Sequence, residues 1–345
     1  MFIIPALFGV TAFSLAPALL RLLSTPAAIL DDAILYTRFM SVGLLFVSLY
    51  NYLSSMLRAL GDSKTPLYFL IISTIINIIL DIILVCYLRL GIPGAAFATL
   101  ISQLVSGLLC GIFAYRTNPY FKLKKGDFSF SFEMSYKILR LGVPLSLQFG
   151  LIAISTMAVQ RIVNSFGTIV VASFTATNRI EQLIHQPYTT LGASLATFCG
   201  QNYGAKRNDR VYSGYKTAIV IMALFTLLLI AVMQLFSIAI AGMFVSDQSV
   251  ITLSALGLRI TSLFYPALGM IYVIRGVLSG VVDAFFALLN GIIEIIGRFT
   301  IPLLFAAYLG FGEKGIWISA RVVWALSAFT AWLRYIDYSR RKVSL

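Results

Sequence analysis

The 345-residue chain is 59% apolar and 11% charged, with a mean hydropathy of +0.93. A soluble protein of this size presents a large polar surface to water, so a soluble globular enzyme, a disordered chain and a secreted disulfide scaffold are excluded. The formal charge of +13 invites a nucleic-acid partner, but the placement of the basic residues assigns it to membrane orientation, and no nucleic acid is expected.

A membrane-crossing helix needs about 20 predominantly apolar residues. Such runs occur at 1–23, 34–57, 65–88, 92–116, 138–164, 168–201, 210–243, 250–278, 282–309 and 312–338. The joins carry breakers, among them Ser24-Thr25-Pro26, Gly61 to Pro66, Gly91-Ile92-Pro93-Gly94 and Ser165 to Thr168. The reading is an all-α polytopic membrane protein with about ten transmembrane helices. Four form an N-terminal lobe (1–116) and six a C-terminal lobe (138–345), joined by a polar cytoplasmic linker at 117–137. That linker is a candidate for an amphipathic helix lying on the membrane surface. Cys86, Cys110 and Cys199 lie in apolar stretches without metal-ligand spacing and read as small hydrophobes.

Of the 26 Lys and Arg, 17 fall on one side of this arrangement and 4 on the other; Arg161, Arg179, Arg259, Arg298 and Arg321 lie inside spans. Arg275 is counted with the 17. The asymmetry predicts both termini in the cytoplasm. The first span has no basic lead-in or small-residue cleavage site and is not read as a signal peptide.

Arg58, Asn77 and Asp81 recur 217 residues later as Arg275, Glu294 and Arg298, and Gly91/Gly94 recur 221 residues later as Gly312/Gly315. Six spans separate the copies, so both run the same way through the bilayer, the parallel kind of transporter repeat. Two spans of the second lobe lack a counterpart in the first. The expectation is therefore a 6 + 6 architecture shown here as 4 + 6, with the first two helices missing before Met1.

Charges within hydrocarbon mark cavities or partners. Asn77 and Asp81 share a helix face, and Thr99 lies at similar depth in the next span. Carboxylate, amide and hydroxyl oxygens suit a proton or an alkali cation; a packing network between two helices is the alternative. Glu294 and Arg298, also four apart, suit an ion pair. Gln160 and Asn164 are candidates for cavity lining or helix-to-helix bonding. Glu181 and Gln186 belong to a polar run, Asn178 to Gln186, ahead of Pro187, which is expected to bend its long helix. No HExxH, GxSxG or nucleotide-binding P-loop is present. The GxGxxG match at Gly310–Gly315 lies between membrane helices and reads as a loop. No enzyme activity and no cofactor are expected, so transport would draw on an ion gradient or a separate ATPase.

Leu57 to Pro66, Asn77-x3-Asp81 and Gly94 to Thr99, with Gly142-Val143-Pro144, Gln160-x3-Asn164-x2-Gly167, Gly200 to Arg207, Arg275 to Gly280 and Glu294-x3-Arg298, resemble the multidrug and toxic compound extrusion (MATE) family over essentially the whole chain. The resemblance implies a twelve-helix, two-lobe antiporter of the bacterial cytoplasmic membrane. Such proteins expel organic cations or amphipathic drugs against Na⁺ or H⁺ by alternating access. It also implies a cation-coupling role for Asn77, Asp81 and Thr99, although the family's first-helix aspartate has no counterpart here. An alternative acidic site on the helix at 138–164 is not supported, because Phe149 to Met157 carries no acid. Glu181, Gln186, Gln160, Asn164, Glu294 and Arg298 are then candidates for substrate cavity or gating. The alternatives are a lipid-linked saccharide flippase of the same superfamily, suggested by Arg161, Arg179, Arg298 and Arg321, and a non-transporting fragment. No dimerisation surface is legible, so a monomer is expected.

Overall fold

Caps and breakers divide the chain into helices at positions its local chemistry dictates. The computed structural model describes residues 3–22, 27–122, 131–305 and 312–343. Among these, all regular structure is helical. The helices are α1 (Ile3–Leu22), α2 (Ala27–Ala59), α3 (Lys64–Asp81), α4 (Gly91–Thr117), α5 (Phe132–Asn164), α6 (Thr168–Gly204), α7 (Asn208–Gly242), α8 (Gln248–Ser262), α9 (Tyr265–Gly280), α10 (Ala284–Leu303) and α11 (Gly312–Val343). Gly61 (φ 94°) ends α2 and Gly167 (φ 90°) separates α5 from α6, conformations that cost glycine little. Asp62 accepts from the backbone N–H groups of Lys64 and Thr65, and Asp247 from those of Ser249 and Val250; these carboxylates satisfy the open ends of α3 and α8. The Thr65 and Lys64 hydrogen bonds outweigh partial burial and hold the Asp62 carboxyl below its ordinary range.

Two expected elements take a different form. The span at 250–278 is broken: α8 and α9 meet at a 52° bend. Pro266 explains it, because it supplies no N–H and disfavours helical backbone in the residue before it, so it sits at the start of a new helix instead. The expected linker is shorter than drawn. Phe132 to Lys137 already form the first turns of α5, with the Ser131 hydroxyl accepting from the Met134 N–H. Lys124, Lys125 and Asp127 lie outside the described residues, as does Gly310. Pro187 lies inside α6, whose helix continues through it.

Seven of the described helices are long and apolar enough to cross a membrane by themselves, and the α8–α9 pair together makes an eighth. α6 is not among them, because its polar run lowers its mean apolarity. The long apolar side chains of α7, such as Leu224, Leu227, Leu228 and Leu235, point outward, as in a helix surrounded by lipid.

The chain forms two compact units, Met1–Ser129 and Phe130–Leu345. In the first, α4 packs on both α2 and α3, with Leu53 and Leu57 against Cys110 and Ala114. In the second, α11 packs on both α9 and α10, α6 on α9, and α5 on α10. Tyr188, Leu258, Tyr265 and Ile274 lie in its core. The repeat extends to the backbone: α4 and α11 both open on a glycine of positive φ, Gly91 at 57° and Gly312 at 55°. α6 and α9 meet through glycines. A methyl built on Gly276 would lie 2.5 Å from the Gly192 carbonyl oxygen, and one on Gly280 2.6 Å from that of Ala196. Small residues of this kind let membrane helices approach to backbone contact.

Candidate functional site

Two polar centres interrupt the apolar interior, one in each unit. In the first unit, Asn77 and Asp81 occupy successive turns at the end of α3. Asp81 is its last residue, and a π-helical segment, Ile82–Tyr87, begins immediately after it. Widened turns of this kind recur at functional positions. Asn77 Nδ2 and Asp81 Oδ1 are both buried and make no hydrogen bond within the protein. Thr99, the third residue expected here, donates to the Ala95 carbonyl of its own helix at 3.0 Å. The structure thus leaves an amide donor and a carboxylate acceptor, four residues apart on one helix, with unused bonding capacity. An unsatisfied buried carboxylate oxygen is costly, and a proton or a small cation removes that cost.

The second unit contains a cavity of about 490 Å³, lined from α5, α6, α9, α10 and α11. Glu181, Gln186, Glu294 and Arg298 line it. Gln160 and Asn164 do not; Gln160 Nε2 donates to Asn164 Oδ1 at 2.8 Å along α5. Arg179 is exposed and also absent from the lining, and the Arg161 side chain lies outside the described residues.

The charges in this cavity are mutually engaged. Arg321 Nη2 donates to Glu181 Oε1, and its Nε donates to Thr261 Oγ1 at 3.1 Å. Arg275 Nη2 donates to Asn290 Oδ1 at 2.7 Å and to Glu294 Oε1 at 3.1 Å. Asn290 in turn donates to the Ser327 hydroxyl at 2.7 Å, which ties α9, α10 and α11 together. The expected Glu294–Arg298 pair is present but looser, at 3.6 Å, and Arg298 also donates to Thr156 at 3.3 Å.

Two members of this network were not assigned their role from sequence. The charge asymmetry places Arg275 at one membrane face; its side chain is only 16% exposed and bonded inside the unit. The available signal was its position within the apolar run 250–278. Arg321 stood inside a span without a partner, because Glu181 lies 140 residues away and no local spacing reports such a contact.

The MatE family model matches residues 1–83 and 144–303. The chain is 32% identical over 340 residues to "Probable multidrug resistance protein YpnP" of Bacillus subtilis (strain 168), covering 97% of this chain and 74% of that protein. It is 28% identical over 317 residues to "Probable multidrug resistance protein YoeA" of the same organism, covering 90% and 68%. Its fold superposes with a TM-score of 0.91, at 24% identity, on a crystal structure of MATE in the bent conformation, covering 99% of this chain and 77% of that one.

Proposed function

The chain belongs to the MatE family, and on that premise we propose that it is a secondary active efflux transporter. It exchanges cationic or amphipathic organic compounds against Na⁺ or H⁺ by alternating access. The names of its relatives, multidrug resistance proteins, support the cargo class. The observation that carries the coupling is the unsatisfied buried carboxylate oxygen, Asp81 Oδ1, at the start of a π turn. A coupling ion does work only if its affinity differs between two conformations. A carboxylate whose hydrogen-bond needs its own fold leaves open is suited to that task. The protein is a multi-pass membrane protein; we place it in the bacterial cytoplasmic membrane with both termini inside, on the Lys and Arg asymmetry.

The test is gradient-driven export of an organic dye from proteoliposomes carrying the full chain. Asp81→Asn is expected to reduce export to the level of empty liposomes, while Asp81→Glu retains part of it. Undiminished export by Asp81→Asn would remove this residue from the mechanism.

A further inference from the structure

The two cargo classes are not equally suited to the cavity of the second unit. Its lining holds the guanidinium groups of Arg275, Arg298 and Arg321 against the carboxylates of Glu181 and Glu294. An organic cation is usually received by an aromatic face or a free carboxylate. Here the Trp324 and Tyr272 rings each already carry a guanidinium, which leaves Phe174 as the one phenyl ring in the lining. Arg321 lies over the Trp324 ring at 4.6 Å from its centroid, and Arg275 over Tyr272 at 5.9 Å. The His185 ring sits edge-on to both. The carboxylates are engaged as well, Glu181 by Arg321 and Glu294 by both Arg275 and Arg298. A cation pairing with either carboxylate must displace one of these guanidinium groups and leave it without its partner, which is unfavourable.

An anion needs only the loosest of these contacts to yield. Arg298 is the most loosely held of the three, 3.6 Å from Glu294 and 3.3 Å from Thr156, and its side chain stays 19% exposed. A guanidinium carries five donors in a planar fork that matches carboxylate and phosphate. The amides of Asn178, Gln182 and Gln186 add neutral donors, and Leu268 and Ile271 form an apolar wall. We propose that this cavity receives the acidic group of an amphipathic compound, a carboxylate, sulfonate or phosphate, on Arg298. The proposal rests on the reading of the chain as an exporter and selects amphipathic acids over organic cations as its cargo.

Isothermal titration of the full chain in phosphatidylcholine nanodiscs tests this with three probes: taurocholate, farnesyl phosphate and tetraphenylphosphonium. At least one acidic probe is expected to bind about tenfold more tightly than the phosphonium, and Arg298→Gln to weaken that probe by about tenfold or more. Arg298→Lys, which keeps the charge but not the fork, is expected to fall between the two and serves if Arg298→Gln does not fold. Preference for taurocholate identifies a free amphipathic acid as cargo; preference for farnesyl phosphate identifies an isoprenoid-linked phosphate. Tighter binding of the phosphonium than of both acids overturns the proposal, as does unchanged acid affinity in the Arg298 variants. These are equilibrium measurements without a gradient. Acid binding by a protein that fails to export would therefore overturn the coupling reading alone.

Discussion

The two copies of the internal repeat put different chemistry at the same helical position. In the first unit the position holds Asn77 and Asp81, with Nδ2 and Oδ1 buried and unpartnered. In the second it holds Glu294 and Arg298, and Glu294 is bonded by Arg275, approached by Arg298 and within reach of the Ser327 hydroxyl. The preceding arginine diverges as well. Arg58 bonds the hydroxyls of Ser54 and Ser55 on its own helix, whereas its counterpart Arg275 reaches across to the acid. One scaffold thus supports an acid with open valences and an acid locked into a network. A group that must bind and release an ion needs the first environment; a group that fixes three helices together needs the second.

Neutralising each acid sharpens that contrast. Asp81→Asn is expected to abolish gradient-driven export while leaving the melting temperature equal to or above that of the parent, because the acid it replaces keeps a buried oxygen without a partner. Glu294→Gln and Glu181→Gln should do the reverse to stability. Each strands a buried guanidinium, and a loss of about 3–5 kcal/mol is expected in denaturation of the purified protein. Replacing both partners, Glu181→Gln with Arg321→Met, should recover most of that loss; a double variant as unstable as the single one would show that the pair does more than neutralise itself. Gly276→Ala should cost about 1–3 kcal/mol by forcing α6 and α9 apart, read as a lowered midpoint in the same assay. Lys137→Ala is the smallest case. Its pair with Glu133 is solvent-exposed, and a change of about 0.5 kcal/mol or less is expected.

The helices were legible because apolar length and breakers report directly on membrane spans. Asp81 and Glu294 were legible because an acid in such a run is rare, and the 217-residue offset places them in corresponding segments, Asn77 against Glu294 and Asp81 against Arg298. The break at Pro266 was not, since hydropathy averages over a kink, although the proline itself was there to be read. Contacts set by tertiary packing, such as Glu181 with Arg321 and Arg275 with Glu294, leave no local trace. The openness of Asp81 was equally hidden. Residue spacing predicts that Asn77 and Asp81 share a face, but only the packed structure shows that Thr99 turns to Ala95 rather than to them.

The glycine contact between α6 and α9 also bears on how the cavity can change size. Gly192, Gly276 and Gly280 leave no side-chain cushion between the two backbones, so Glu181 and His185 on one helix and Arg275 on the other are carried on what amounts to a single girder. Bulky cargo cannot spread that wall. Enlargement falls to α5, α10 and α11, and the last two carry Glu294, Arg298 and Arg321, so that moving them swells the chamber and loosens its ionic latch together.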